Sequence, residues 1–418
     1  MIEILTQKLK DKEFIEVSKF IAASVMERLS GLIITFIAVR LTTKAEFAEY
    51  GLVILGIQVL RSVIDFGQDT RLRVDLAKDK GNLSQKIISA FFISLIVFAV
   101  SIIFYLFLSN FYTINSFAKY GLLIVATVFF FQQFSFARNI LISLKNINFY
   151  VYLTIAYIAL DLIIFNALIF IFEADAIVAR IFAMFLACSL ISAHLFMKFF
   201  NLESFKKISV KADDIFFGGK MMIYSIALFG TFLAERSFLF EYNNPGFVAE
   251  IFFSLTIISP CVMIVDAVNK RYAPIFYEQI NSGEHRLATV KVQQLSLIIF
   301  LICIFFSIFA PFIGILIGGE KYDTQSFRTL ASLLAFFPLI KILSQFNGRY
   351  LVINKRSGVL AFNLWISGLF FLGMIFYFNE QISPSLYSLL HLAFYFMQFL
   401  CNFLSVQLLS SKEILKQK

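Results

Sequence analysis

Apolar residues in this chain run in long stretches rather than at the alternating or three-to-four spacing of a half-buried strand or surface helix. Twelve stretches are long enough to cross a bilayer, which takes about 20 mainly apolar residues in a helix. They fall at about 18–39, 47–66, 87–109, 119–142, 149–172, 176–197, 219–240, 248–268, 289–313, 327–348, 357–378 and 385–409. The pattern predicts an all-α polytopic membrane protein of twelve transmembrane helices with mostly short connections. Helices are required because lipid satisfies no backbone polar group.

The polar residues inside these stretches are the informative exceptions. Ser24-Val25-Met26-Glu27-Arg28-Leu29-Ser30-Gly31 sets an acid beside a base in the middle of the first span. Glu235-Arg236 repeats the pair 208 residues later, in the seventh span. Other features recur in the same order. Phe47-Ala48-Glu49-Tyr50 and Ile64-Asp65 in the second span match Val248-Ala249-Glu250-Ile251 and Val265-Asp266 in the eighth, offset by 201. Arg138 with Lys145 matches Arg349 with Arg356 at an offset of 211. The chain therefore reads as six helices plus six. Because six is even, the copies share an orientation and form parallel repeats about an axis along the membrane normal. The predicted organisation is an N-terminal bundle over 1–200, a cytoplasmic linker over 201–215 and a C-terminal bundle over 216–418.

Composition agrees with this class. The 418 residues are 60% hydrophobic and 15% charged, against about half and a quarter in soluble domains. The net charge of +9 is a topology signal rather than a nucleic-acid surface. Twenty-five Lys and Arg fall in one alternate set of connections and termini, and six in the other. This bias puts both termini in the cytoplasm. The start, Met1 to Lys12, is too charged for a cleavable signal peptide, so the first span is expected to be the insertion signal. Cys188, Cys261, Cys303 and Cys401 each lie in an apolar run, and His194, His285 and His391 are far apart. We expect inert thiols and neither a metal site nor a cofactor.

Five basic residues remain inside the spans: Arg28, Arg61, Arg138, Arg236 and Lys341. The acids there are Glu27, Asp65, Asp161, Glu235 and Asp266. A charge at mid-bilayer costs about 2.5–3.5 kcal/mol, so each needs a partner, water or a ligand. Helical spacing sorts them into stripes. Ser24, Arg28, Gly31 and Thr35 share one face, as do Gln58, Arg61, Ser62 and Asp65. Lys341, Ser344, Gln345 and Gly348 repeat that second spacing. Gln132, Ser135 and Asn139 form a stripe beside Arg138. Thr154, Tyr157 and Asp161 form another, as do Tyr224, Ala227, Thr231 and Glu235. Two readings follow. The stripes pack helices together through small and mutually satisfied polar residues, or they line a water-filled central cavity where cations meet an anion. Arg138 and Asp266 lie near cytoplasmic helix ends, where snorkelling or capping accounts for them equally well. Asp65 also fits as a partner for Arg61 one turn away. Pro260 and Pro338 remove backbone donors within spans and predict bends.

At this point the chain resembles a known family. Its carriers are Leu41-Thr42-Thr43-Lys44-Ala45-Glu46-Phe47-Ala48-Glu49-Tyr50-Gly51 after the first span and Asp65-Phe66-Gly67 closing the second. The third is Ala310-Pro311-Phe312-Ile313-Gly314-Ile315-Leu316-Ile317-Gly318-Gly319-Glu320-Lys321-Tyr322 after the ninth. With the span number and repeat, these make the chain similar to Wzx-type O-antigen or polysaccharide flippases. Those belong to the multidrug/oligosaccharidyl-lipid/polysaccharide (MOP) exporter superfamily. The resemblance implies two six-helix bundles in a MATE-like fold around a V-shaped cavity, in the bacterial inner membrane. It implies a role in O-antigen, lipopolysaccharide or capsule biosynthesis. An undecaprenyl-pyrophosphate-linked oligosaccharide would be moved to the periplasmic leaflet by alternating access. Lipid, and polysaccharide polymerase and chain-length proteins, would be its partners. By position, Arg28, Arg61, Arg236 and Lys341 suit the pyrophosphate or acidic sugars, with Arg138 among the candidate basic residues. Glu27, Asp65, Asp161, Glu235 and Asp266 suit charge pairing or coupling to protons or sodium. Arg61 maps onto Val262 in the second half, so symmetric binding is not expected. The alternative is an ion-coupled drug or small-molecule exporter of the same architecture. An intramembrane enzyme is not expected, because the outer connections are short and carry no converging acids.

Overall fold

The computed structural model describes residues 12–69, 71–72, 83–108, 115–144, 146–199, 212–281, 285–353 and 356–416. The predicted linker lies outside them as far as residue 211. The described chain is all helix: α1 (Lys12–Leu41), α2 (Lys44–Asp65), α3 (Leu83–Leu108), α4 (Asn115–Ser143), α5 (Ile147–Phe170) and α6 (Ala176–Phe199). The second half follows with α7 (Ala212–Tyr242), α8 (Pro245–Asn281), α9 (His285–Gly318), α10 (Gln325–Leu334), α11 (Phe337–Ile353), α12 (Ser357–Tyr377) and α13 (Pro384–Lys416). Counting α10 and α11 as one interrupted rod, these are the twelve helices the sequence predicts. Eleven segments among the described residues are long and apolar enough to span a membrane. α1 carries Glu27 and Arg28 at its middle.

Two differences from the predicted spans have clear causes. The tenth is broken at residues 335–336, just ahead of Pro338, which leaves a carbonyl one turn upstream without a donor. By contrast, α8 runs uninterrupted through Pro260. Helices α8 and α9 are 37 and 34 residues long, about 50 Å at 1.5 Å per residue. They exceed a hydrocarbon core of about 30 Å, so most of the stretch read as the 270–291 connection is helix. Sequence hydropathy marks where a helix leaves lipid, not where it ends.

Local signals explain the helix starts. Thr43 and Glu46 form a reciprocal capping box on α2, with Thr43 N donating to Glu46 Oε2 at 2.8 Å and Glu46 N to Thr43 Oγ1 at 3.3 Å. Asp175 accepts from Ile177 N ahead of α6, and Thr324 from Phe327 N ahead of α10. α2 ends in a sharp corner, with Phe66 at φ 46° and Gly67 at φ 67°. A Cβ at the facing Gly218 would lie 2.3 Å from the Phe66 carbonyl oxygen, so only glycine admits this approach.

The chain divides into two compact units: residues 1–41 with 53–225, and residues 42–52 with 226–418. In the first, α4 packs on α6, α6 on α5, and α5 on α1. Ala23, Ala137, Ala187 and Cys188 let the backbones approach around Phe134, Tyr150 and Tyr157. In the second, α13 packs on α11 and α12, and α8 on α9 and α10. Gly314 and Gly318 make room there for the Phe327, Tyr322 and Phe253 rings. Large apolar side chains such as Ile103, Leu301, Leu316 and Leu404 stay exposed, as lipid-facing positions do.

Candidate functional site

Each unit holds a buried polar cluster, and the two are built differently. In the first, Arg138 on α4 closes a fork on Glu27 of α1, with Nη1 to Oε1 and Nη2 to Oε2 both at 2.6 Å. Its Nη2 also donates to the Tyr150 hydroxyl on α5 at 2.9 Å. The Phe134 and Tyr150 rings flank the guanidinium, each 5.1 Å from its carbon. Glu27 is thus engaged by a residue 111 positions away, while the adjacent Arg28 is exposed on α1.

One turn further along α4, the stripe read as Gln132, Ser135 and Asn139 meets α2. Arg61 donates from Nε to Gln132 Oε1 at 3.1 Å and from Nη2 to Ser135 Oγ at 2.7 Å. It lies 4.5 Å from the Phe131 ring. Gln132 Nε2 donates to Asp65 at 2.5 Å, and Asn139 Nδ2 to Asp69 at 2.6 Å. Arg61 and Asp65 on α2, with Asp69 just past the corner that ends it, thus meet 132, 135 and 139 on α4. Asp65 reaches Arg61 through Gln132. Among the described residues, the hydrogen-bond partners of the Arg61 guanidinium are neutral.

Asp161 on α5 is almost fully buried, and Arg180 Nη1 on α6 donates to both its oxygens at 2.7 Å. Thr154 and Tyr157 are buried on the same helix. Arg180 is one residue that sequence reasoning missed, because its place early in α6 reads as part of an outer connection. The usable signal was its position across a short hairpin from an intramembrane acid.

In the second unit, Glu235 and Arg236 stay beside each other on α7, Nε to Oε2 at 3.5 Å. Arg236 stacks near Phe232 and Phe252, 5.4 and 4.7 Å from their centroids. His391 on α13 packs against Phe232 at 5.2 Å and is stacked with Tyr387 at 6.0 Å. Glu235 and His391 are buried at 0% and 2% exposure. Among the described residues, both Glu235 oxygens, both His391 nitrogens, Arg236 Nε and the Tyr387 hydroxyl have no hydrogen-bond partner. Sequence spacing gave no sign of His391 or Tyr387, which lie over 150 residues from Glu235.

The α11 stripe divides. Ser344 accepts from Asn402 Nδ2 at 3.3 Å, and Asn402 Oδ1 from Asn363 Nδ2 at 3.0 Å. Gly348 abuts Leu360 and Asn402. These residues join α11 to α12 and α13. Lys341 is half-buried and, among the described residues, has no hydrogen bond or ion pair. Asp266 is half-buried on α8. The Ser24 and Arg349 side chains lie outside the described residues.

No protein-family model and no curated protein matches this sequence. Solved structures do match it. The inward-facing conformation of a multidrug resistance MATE family transporter of the MOP superfamily aligns at TM-score 0.69 and 15% identity, covering 92% of this chain and 96% of that one. An outward-facing conformation of a multidrug resistance MATE family transporter gives 0.65 at 13% identity, covering 94% and 95%. A MOP superfamily transporter from Pyrococcus furiosus, whose reversed binding-pocket polarity suggests a different function, gives 0.64 at 14% identity over 96% and 95%. At these identities the likeness is one of fold.

Proposed function

We propose, from a fold shared with MATE transporters of the MOP superfamily, that this chain is a flippase for a polyprenyl-pyrophosphate-linked oligosaccharide. It would work in the bacterial inner membrane with both termini in the cytoplasm. The observation that carries the reading is the state of the intramembrane cations. Arg61 donates to the neutral Gln132 and Ser135, and Lys341 has no hydrogen bond or ion pair among the described residues. Arg28 is exposed on α1. Cations kept in apolar spans suit an anionic cargo. Arg138 and Arg236 stand beside Glu27 and Glu235 and hold their helices or tune the neighbouring acid.

In this reading the pyrophosphate and sugars cross along a hydrated polar path, while the isoprenoid tail stays in lipid. Moving two negative charges outward against an inside-negative potential is favourable by about 4.6 kcal/mol per 100 mV. Reversed pocket polarity in the Pyrococcus furiosus transporter supports the idea that this fold changes cargo by changing charge. Glu235, with neither oxygen hydrogen-bonded among the described residues, is the acid best suited to take up a proton or sodium ion and couple it to transport.

The test is flipping of a fluorescent polyprenyl-pyrophosphate oligosaccharide in proteoliposomes, with surface polysaccharide measured in complemented cells. Loss of flipping in Arg61→Ala and Lys341→Ala at normal expression supports the reading, and full activity in both overturns it. A second reading, export of cationic drugs, draws on the buried Glu235 among Phe232, Tyr387 and His391. It predicts drug resistance on expression and no flipping.

A further inference from the structure

Arg61 and Asp65 stand one turn apart on α2, the spacing at which an arginine and a carboxylate ordinarily pair directly. Here Gln132 of α4 stands between them. It accepts from Arg61 Nε through Oε1 at 3.1 Å and donates from Nε2 to Asp65 Oδ1 at 2.5 Å. A side-chain amide carries an acceptor and a donor on neighbouring atoms, so it can face a cation and an anion at once. Gln132 is buried at 1% exposure, so packing holds it there. The other carboxylates close enough to act on the Arg61 charge are Asp69 and Glu27, and each is engaged elsewhere. Asp69 accepts from Asn139 Nδ2 at 2.6 Å, and Glu27 is forked by Arg138. Asp65 accepts a second hydrogen bond, from Asp69 N at 3.1 Å. Arg61 gives its other hydrogen bond to Ser135 Oγ and stays half-buried. Three carboxylates thus lie near a guanidinium that, among the described residues, hydrogen-bonds to none of them.

We propose that Gln132 is a positioning residue, which holds Asp65 off Arg61 so that the Arg61 charge stays available to an anionic cargo. The proposal rests on the flippase reading above and adds the residue that keeps one of its cations unpaired. A direct Arg61–Asp65 salt bridge would have to break before an anion could bind. Hydrogen bonds to Gln132 and Ser135 fix the guanidinium equally well and leave its positive charge in place. The choice of amide is therefore specific. Glutamate at 132 would set a carboxylate on Arg61 Nε and cancel the charge, and an apolar side chain would leave Asp65 free to close on it.

The experiment uses the full-length chain and two readouts. The first needs no cargo. Arg61→Gln and Asp65→Asn are combined in a double-mutant cycle read by thermal unfolding in detergent, once in the parent and once with Gln132→Ala. The coupling between positions 61 and 65, read as a shift in Tm, is expected to grow about twofold or more when Gln132→Ala lets the two side chains meet. Gln132→Met, which keeps the volume but neither hydrogen bond, serves if Gln132→Ala does not fold. An unchanged coupling overturns the proposal. The second readout is flipping of the polyprenyl-pyrophosphate oligosaccharide in proteoliposomes. Gln132→Ala and Gln132→Glu are each expected to lower it by about tenfold or more, the scale of one contact to a charged group. With Asp65→Asn already present, adding Gln132→Ala is expected to change flipping by less than about threefold, because no carboxylate remains at 65 to capture Arg61. An equal loss in both backgrounds would mean that Gln132 only supports packing, and overturns its positioning role. Parental flipping in Arg61→Ala sinks the flippase reading instead, and the unfolding cycle then still decides whether Gln132 keeps the two charges apart.

Discussion

Arg138 grips Glu27 with both terminal nitrogens at 2.6 Å, so the acid that opens the Glu27-Arg28 pair is tied to a different arginine. A two-pronged guanidinium–carboxylate pair is among the strongest charged contacts available. Here it fastens α1 to α4, and through the Tyr150 hydroxyl to α5. Breaking a buried pair by removing one partner typically costs about 3–5 kcal/mol. We expect Glu27→Ala and Arg138→Ala each to destabilise the protein by about 3 kcal/mol, near the low end because the pair keeps some exposure. Arg28→Ala should leave stability almost unchanged and lower transport. Thermal unfolding in detergent beside a flipping assay separates the two effects.

Arg61 should behave in the opposite way. Its partners Gln132 and Ser135 are neutral, and each hydrogen bond contributes about 0.5–1.5 kcal/mol. Arg61→Gln should therefore cost no more than about 2 kcal/mol, yet abolish transport of an anionic cargo. Arg61→Lys keeps the charge but not the fork that reaches Gln132 and Ser135 at once. It should retain partial transport with weaker substrate binding. Equal transport by Arg61→Gln and the parent would remove Arg61 from the substrate path.

These contrasts show what the sequence could and could not reveal. Span positions were legible because every lipid-exposed helix must be apolar along its length. The α2–α4 register was half legible, since Gln132, Ser135 and Asn139 lie on one face by spacing alone. The partner of Glu27 was not, because nothing local links positions 27 and 138. Nor was the role of Ser344, whose spacing from Lys341 fits an open polar face as well as a ladder to Asn402. Periodicity assigns a residue to a face, but only packing says what that face meets. The broken tenth span lies between these cases. Pro338 announced a defect, while Pro260, equally visible, sits in unbroken helix.

The Glu235–Arg236 pair gives a prediction in which stability and function part. Each charge is buried, and the nearest approach is 3.5 Å, too long for a strong hydrogen bond. Removing either alone leaves a buried charge and should cost about 3–5 kcal/mol. Replacing both, as in Glu235→Leu with Arg236→Met, removes two desolvated charges and should leave the protein at least as stable as the parent. If Glu235 couples an ion to transport, the double variant should unfold no earlier than the parent and yet fail to respond to an imposed proton or sodium gradient. A stable double variant that still responds would clear the pair of any coupling role.

Glycines give the last prediction, because the same substitution should have opposite signs at different sites. At Gly218 an added methyl would lie 2.3 Å from the Phe66 carbonyl oxygen, and backbone cannot step aside as a side-chain tip can. Phe66 already sits at φ 46° and Gly67 at φ 67°, so this corner has little freedom left. Gly218→Ala should destabilise the protein by about 1–3 kcal/mol, as overpacking typically does. At Gly373, within α12, a Cβ meets nothing within 4 Å. There the only change is lost freedom in the unfolded chain and better helix propensity, and Gly373→Ala should stabilise by about 0.5–1 kcal/mol. Thermal unfolding of the two variants side by side checks the geometry. A stabilising Gly218→Ala would mean that α7 does not press on the α2 corner as described.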